Sequence, residues 1–529
     1  MSGPRSQRGV IAVFGALLLL AALMFTALAV DSGRLWMDKR SLQSIADAAA
    51  LSAANNPGCG GAASALLAAQ AAAAQNGWQG SLSSVPNSVQ TGSVSGSPGG
   101  VRQFTPDGSG KAVHVVITRS EPESIVLGGL WGKQVLLMAS ATALVDPSQA
   151  SFSAGSYLTT LNSQDSALLN ALLGGILGSN VNLDLVSWQG IAGADVNLAQ
   201  LVQASGTVGG VNELLNAPLT VPQVIDLMIS ALNRQGVANA SAVGGLNRIL
   251  QSSANSLPTV QLGNILNVTA PDSPAAANAQ INVLGLLTAA LLVANGTNAI
   301  ALNLGLPNVA SVNLDVISPP QIAIGPAGRD ANGNWCTQAR TAQVRLDVAA
   351  SIPGMLDLGL DLQVAQASAF LQDIQFGPGS AQVNIDATPG IASLMLTNSA
   401  GTPGSSATVL GGLATIGLNL PISPANSTQL TYPVVTPVAQ QLPMSQSIAS
   451  PVGSLQNALS QPNTFTLTVL GLNPGGLLDG VVGSVVAPLL GSVGGAVLDP
   501  LLKLLGIQVG GVTVQLDGVS YGGNAKLVI

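Results

Sequence analysis

The sequence predicts an α+β protein led by one long N-terminal helix, and three observations carry that expectation. The run from Gly9 to Val30 holds no ionisable side chain over 22 residues, which meets the length of a membrane-spanning helix, about 20 residues. It passes into charged sequence without a turn signal: no Pro and only Gly33 intervene before Asn55-Asn56-Pro57-Gly58, so a single continuous helix is the simplest reading. Further along, segments that alternate apolar and polar residues, the pattern of half-buried strands, recur between shorter helical stretches.

Taken in order, residues 1–8 form a short tail carrying Arg5 and Arg8, residues 9–30 the span, and residues 31–54 an amphipathic extension. In the extension Leu35, Leu42, Ile45, Ala46, Ala49, Ala50 and Ala53 fall at offsets 0, 7, 10, 11, 14, 15 and 18, the repeat of one helical face. That face is narrow and Ala-rich, and small side chains allow close approach of another helix. A helix from Gly9 to Ala54 would be about 69 Å long at 1.5 Å per residue. Two processing readings compete with an intact anchor. Ala27-Leu28-Ala29 has the form of a signal-peptidase site behind a basic start, and its use would leave Val30 first. A prepilin-type cut after Gly9 would want an acidic residue at the fifth position, where Phe14 stands.

Residues 55–146 read as a small α+β domain: an Ala-rich helix from Ala62 to Gln75, a Ser-, Gly- and Pro-rich loop over 79–100, and two strands, KAVHVVITRS and KQVLLMASATALV. Residues 147–529 form a large, low-charge α+β region. Its segments VNLDLVSW, VNLDVISP and VNIDATPG, starting at Val181, Val312 and Val383, all alternate like strands, but their unequal spacing excludes a regular solenoid. VNELLNA and VPQVIDLMISALNRQG read as helices, the second with Pro222 in its first turn; TAQVRLDVAAS and LDLGLDLQVAQASAFLQDIQF read as strands; residues 398–462 read as a partly irregular insert. Val481 to Leu498 is uncharged and long enough to span, yet glycines and Pro488 interrupt it, and a buried or partner-facing helical pair broken near Pro488 fits better. The closing GVTVQLDGVSYGGNAKLVI alternates like a hairpin turning at Gly522-Gly523.

Composition narrows function. Only 7 % of the 529 residues are charged and the net charge is −7, against about 25 % charged in ordinary globular chains, so nucleic acid is not an expected partner. Arg5 and Arg8 face Arg34, Lys39 and Arg40 across the span, which leaves orientation open on charge alone. The two cysteines, Cys59 and Cys336, leave open one long-range disulfide, worth about 2–4 kcal/mol in an oxidising compartment, or two unbridged thiols.

No constellation for catalysis stands out, and no metal, cofactor or small-molecule substrate is expected. Gly518-Val519-Ser520-Tyr521-Gly522 matches the G-x-S-x-G pattern, but that motif needs a strand-turn-helix setting with an acid and a His later in the chain, and the single His114 lies upstream in an apparent strand. Asp330-Ala331-Asn332-Gly333-Asn334 resembles the start of a calcium loop, yet its twelfth position is Thr341 instead of Glu; a tight turn is the better reading. No G-x-x-x-x-G-K-[ST] cradle occurs.

RGVIAVFGALLLLAALMFTALAVDSGRLWMDKRSLQSIADAAALSAA resembles the N-terminal segment of the TadG-like proteins of bacterial tight-adherence (Flp) pilus assembly. The likeness rests on Arg-Gly before the span, on Ala29, Val30, Asp31, Gly33, Arg34 and Leu35 at its exit, and on the run from Arg40 to Leu51. It is strong over about the first 54 residues and continues weakly to about Val145. The long helix followed by a small antiparallel sheet has the outline of a pilin-like subunit. The resemblance implies a cytoplasmic N-terminus, a single pass through the inner membrane, a periplasmic C-terminal body, and pilin or assembly-platform partners. Some of that family carry a von Willebrand A-type domain with an Asp-x-Ser-x-Ser metal site, and no such motif occurs here, so no metal-dependent adhesion is implied. On this reading the protein acts by helix-mediated contacts without catalysis, with Arg34, Leu42, Ile45, Asp47 and Ala49 as the partner interface. The competing reading is a secreted surface or adhesive protein with a cleaved N-terminal signal.

Overall fold

The computed structural model describes the chain except residues 1–7, 56–61, 96–101, 107–111, 126–131, 146–147, 156–160, 207–208, 253–256, 270, 272–273, 303, 305–306, 331, 401–404, 419, 421, 423, 436–440, 452, 461–464, 470–481, 521, 524 and 529. The protein is α+β, with a long N-terminal apolar helix, antiparallel sheets and a large β-rich C-terminal region. It forms two compact units, one of residues 1–147, 330–333 and 523–529, the other of residues 148–329 and 334–522.

In the first unit helix α1 (Arg8–Ala54) runs unbroken for 47 residues, as the absence of Pro and turn residues requires. Its C-terminal third and α2 (Ala62–Gln75) pack on an antiparallel sheet. The sheet consists of β1 (Ser88–Ser95), β2 (Gln103–Pro106), β3 (Ala112–Pro122), β4 (Gln134–Leu144) and the terminal strand Lys526–Leu527, in the order β2-β1-β3-β4-terminal strand. Ala46, Ala49, Ala50 and Ala53 meet Ala65, Ala69 and Ala73, and Val113, Val115, Ile117, Ala139 and Ala141 of the sheet close the same core. Short side chains allow this close approach of helix to helix and helix to sheet. Trp78 fills one end of the core, its indole N–H donating to the Thr118 carbonyl at 3.0 Å.

Two expectations are corrected here. Part of the segment 79–100 is not loop, because β1 pairs with both β2 and β3; its sequence SVQTGSVS is small and polar, and its apolar signal is correspondingly weak. The chain also does not end in a hairpin. The strand Val512–Ser520 belongs to the second unit, and the chain then crosses to pair Lys526 and Leu527 with Leu144 and Ala143 of β4.

The second unit combines a helical layer, residues 163–295, with three larger sheets. One contains the strands Val309–Ser318, Gln343–Ile352, Leu356–Val364 and Ala392–Thr397. Another is built on β5 (Gln149–Ala154), which lies between Val512–Ser520 and Ile322–Pro326. The third runs Gln338–Arg340, Ser368–Gly377, Ser380–Thr388, Thr428–Val435. Tyr432, fully buried, donates its hydroxyl to the Val514 carbonyl at 2.7 Å, tying the third sheet to the second. The helix Val283–Asn295 is apolar on nearly every side and buried on nearly every side, the arrangement expected of a core helix.

The similar-looking VN-x-D segments diverge. Val309–Ser318 and Ser380–Thr388 are strands in different sheets, whereas the first segment leads into the helix Leu185–Ala192, because Asp184 caps it by accepting the Ser187 backbone N–H at 2.8 Å. Residues 398–462 are also less irregular than their composition suggests: Ala414–Leu418, Thr428–Val435 and Met444–Ile448 each join a sheet.

The apolar run near residue 490 is a continuous helix, not a pair broken at Pro488. Val482–Val486 and Gly494–Leu498 are wound in the wider π form on either side of Ala487–Val493, and Pro488, which lacks a backbone N–H to give the helix, closely follows the first of these π turns. Its glycines serve packing: a Cβ on Gly494 would lie 2.8 Å from Gln456 Cα, and one on Gly491 2.2 Å from Ser460 Oγ. Asp499 caps the neighbouring helix Leu455–Leu459, accepting the Leu455 and Gln456 N–H groups at 2.9 Å each.

Candidate functional site: the exposed apolar helix and its clamp

Helix α1 divides sharply along its length. From Ala12 to Val30 its side chains are exposed apart from a partly covered Ala21 and Ala27, and none of its most apolar window is buried within the protein. Phe14, Leu18, Met24 and Phe25 are among those more than 60 % exposed. From Leu42 onward one face is in the core. Between these halves lies a short charged zone, in which Asp31, Arg34, Asp38 and Arg40 are engaged. Asp31 is buried; it accepts the Ile125 backbone N–H at 2.9 Å, and hydrogen bonds from Ser124 and Ile125 hold its carboxyl below the ordinary carboxylate range. Arg34 donates to Asp38 at 3.2 Å one turn on, lies 3.5 Å from Glu121, and donates to the Pro122 carbonyl. Asp31 and Arg34 therefore clamp the far end of β3 and the segment after it onto α1, where the apolar run ends. Trp36, 62 % exposed, carries the Arg40 guanidinium 5.4 Å above its ring, a cation–π contact, and Trp is a residue type enriched at membrane-water interfaces.

The five residues expected at a partner interface separate into two groups. Leu42, Ile45 and Ala49 are buried, at 0 %, 4 % and 0 % exposure, among α2, β3 and β4; the face they offer is already covered within the chain. Arg34 is in the clamp, and Asp47 accepts from the Gln43 side chain at 2.9 Å, Gln43 also reaching the Ser140 carbonyl of β4 at 2.8 Å. Sequence reasoning missed Glu121, Pro122, Ser124 and Ile125 as the clamp's other jaw. A signal was present: in a chain only 7 % charged, Arg119, Glu121 and Glu123 crowd together in one short stretch, as do Asp31, Arg34, Asp38, Lys39 and Arg40 in another.

The remaining motifs have structural roles. His114 stacks on Phe104 with ring centroids 5.1 Å apart, and its Nδ1 lies 2.8 Å from Thr142 Oγ1; burial pushes its imidazole pKa down. Ser520 ends a strand and donates to the Gln149 carbonyl at 3.3 Å. Asp330 closes a tight turn, its side chain accepting the Asn332 N–H at 2.9 Å and its carbonyl the Gly333 N–H at 3.0 Å, with Gly333 at φ +84°. Among the described residues no group of three or more His, Cys, Asp or Glu is arranged to hold a metal. Cys336 is buried near the start of the strand Gln338–Arg340, and Cys59 lies outside the described residues.

An exposed apolar helix that dips into a small α+β unit and is clamped where the apolar run ends defines a helix-led module with a candidate membrane anchor. Family comparison identifies the module. The Tad model, described as Flp pilus-assembly TadE/G-like, matches residues 9–56, and the Tad_C model, a Tad-like Flp pilus-assembly family, matches residues 48–143. Residues 9–143 are thus similar to the Tad/Flp pilus-assembly family, at the N-terminus of the chain. A third model, a domain of unknown function, matches residues 165–292, which coincide with the helical layer of the second unit. Neither the curated proteins nor the solved structures contain a match to the chain.

Proposed function

We propose that the protein is a bacterial cell-envelope factor of Flp pilus assembly, anchored in the inner membrane by residues 9–30, with its C-terminal body in the periplasm. The observation that carries this reading is the division of α1: an apolar stretch with no cover inside the protein, continuous with a half locked into a Tad-type unit. Lipid covers the first half, since exposed apolar surface of that extent is not left to water in a folded protein. Trp36 and Arg40 then lie at the headgroup level. The function is positional and needs no catalytic step: the clamp fixes the small unit against the membrane surface, and pilin or platform helices meet α1 along its lipid-phase length and at Trp36 and Met37, which are uncovered. On this reading Leu42, Ile45 and Ala49 support the interface by docking α1 in its own unit. Pairing of Cys59 with Cys336 is proposed as the oxidative lock appropriate to the periplasm.

The test is fractionation with intact-mass measurement, followed by crosslinking from single cysteines placed along residues 14–28 and at Trp36. An uncleaved chain in the membrane that crosslinks to pilin or platform subunits from these positions is the expected result. A soluble chain beginning at Val30 refutes the anchor and favours a secreted protein with a cleaved signal. That cut would leave Asp31 and Arg34 in place, so only the mass and the fraction separate the two.

A further inference from the structure

A cavity of about 570 Å³ opens in the second unit between the strand Val512–Ser520, β5 and the helical layer, within the size range of small-molecule sites, about 300–1,000 Å³. Its floor is built by a local irregularity. Leu516 pairs with Phe152 and Gly518 with Ser151, so Asp517 is the extra residue of a β-bulge, a device that re-aims a side chain at the cost of ladder regularity. Asp517 is 6 % exposed and accepts from Gln515 Nε2 at 2.7 Å. Beside it Ser151, 1 % exposed, has a buried hydroxyl oxygen with no hydrogen-bond partner. A buried polar group left in that state costs free energy, and here it lines the cavity. Gly518 keeps the floor open, since a Cβ there would stand 2.6 Å from Ser151 Oγ.

The helical wall is a chain of amides. Asn239 Nδ2 donates to Gln235 Oε1 at 2.8 Å, and Gln235 Nε2 donates to Gln200 Oε1 and to the Asp195 carbonyl at 2.9 Å each. Asp195 brings a second carboxyl to the cavity, while Ile324, Leu442 and Val519 contribute apolar surface. Among the described lining residues none is Lys, Arg or His, so a phosphate, sulfate or carboxylate would meet two acids and no counter-charge from them. A bare cation fits poorly as well: it wants a close shell of six to eight oxygens at about 2.3–2.6 Å, whereas this cavity is wide and its amides present N–H donors. Hydroxyl groups, each one donor and two acceptors, match a surface of alternating amide and carboxyl groups, and the C–H face of a sugar ring suits the apolar patch.

We infer that this cavity binds a neutral carbohydrate of one or two sugar rings, with Asp195, Asp517 and Ser151 accepting from or donating to its hydroxyls and the Gln200-Gln235-Asn239 wall completing the contacts. The inference is independent of the pilus reading. The test uses the full chain in a detergent without a sugar headgroup, with glucose, galactose, N-acetylglucosamine and maltose followed by saturation-transfer NMR and calcium by thermal shift. The expected result is transfer to at least one sugar with a Kd of about 1 mM or tighter. Gln235→Ala, at an exposed position that leaves the core intact, and Asp195→Asn should each weaken that binding about 3–10-fold. No transfer to any of the four sugars at about 10 mM, stabilisation by calcium in the absence of sugar binding, or sugar binding that neither variant changes overturns the inference.

Discussion

Asp517 makes the stability of the second unit depend on pH in a direction opposite to that of most carboxylates. Burial pushes its pKa from the ordinary 3.8 up to about 8, with the neighbouring Asp195 charge adding to the rise. Between those two values the folded state holds a proton that the unfolded chain releases. Stability from this group is therefore full below the unfolded pKa and is lost as pH rises through the folded one. One proton corresponds to about 1.4 kcal/mol per pH unit, so the group alone removes about 2.7 kcal/mol between about pH 5 and pH 7. Asp517→Asn keeps the shape and the acceptor for Gln515 but cannot ionise. Urea melts of both proteins at intervals between those pH values should show the wild type losing stability relative to the variant by roughly that amount. Parallel pH profiles would show that Asp517 carries its charge in the fold, and would refute the description of it as a neutral, desolvated floor.

Other outcomes follow from the packing. Arg34→Ala removes the contacts to Asp38, Glu121 and the Pro122 carbonyl, and should raise hydrogen exchange in residues 119–125 while costing about 1–2 kcal/mol; unchanged exchange there would leave the clamp without a holding role. Gly494→Ala forces a methyl to within 2.8 Å of Gln456 Cα and should destabilise by about 1–3 kcal/mol. Gly244→Ala, in an exposed helical site with nothing within 4 Å of its Cβ, should stabilise by up to about 1 kcal/mol; thermal melts that rank the two variants the other way would overturn the packing argument.

The helix Arg8–Ala54 is legible in sequence because length, missing breakers and a 3.6-residue repeat all point the same way. The strands Gln343–Ile352 and Leu356–Val364 are legible for the matching reason, a clear alternation of apolar and polar residues. What escapes is whatever depends on a distant partner. β1 reads as loop until β2 and β3 supply its hydrogen bonds. The VN-x-D segment at Val181 reads as strand until Asp184 acts as a helix cap. The terminal strand Lys526–Leu527 is too short to carry any pattern, and its sheet lies almost four hundred residues upstream. The face of α1 beyond the apolar run is seen correctly as a face, but periodicity cannot say whether its cover comes from another protein or from this one. The carbohydrate cavity leaves no linear trace, since Ser151, Asp195, Gln235 and Asp517 come together only through the fold.

That last ambiguity on α1 can be resolved with Ile45→Asp. Were the face open to a partner, the substitution would block capture and leave the N-terminal unit folded. Ile45 is 4 % exposed and packed in the core with Leu42, Ala46, Ala49 and sheet residues, so the new carboxylate has no water and no partner. Losing a buried Ile side chain costs about 2–5 kcal/mol, and an unpaired buried carboxyl adds further cost, a sum comparable to the whole stability of a small unit, about 5–15 kcal/mol. Insertion should survive, because residues 9–30 are unchanged, but limited proteolysis should now cut α2 and β1 to β4. Trp36→Ala is the companion substitution: at an exposed site it should leave proteolysis unaltered while reducing crosslinks to pilus-assembly partners. If Ile45→Asp stays protease-resistant and loses its partner, the face is an interface after all, and the intramolecular docking of α1 is the part of the reasoning that fails.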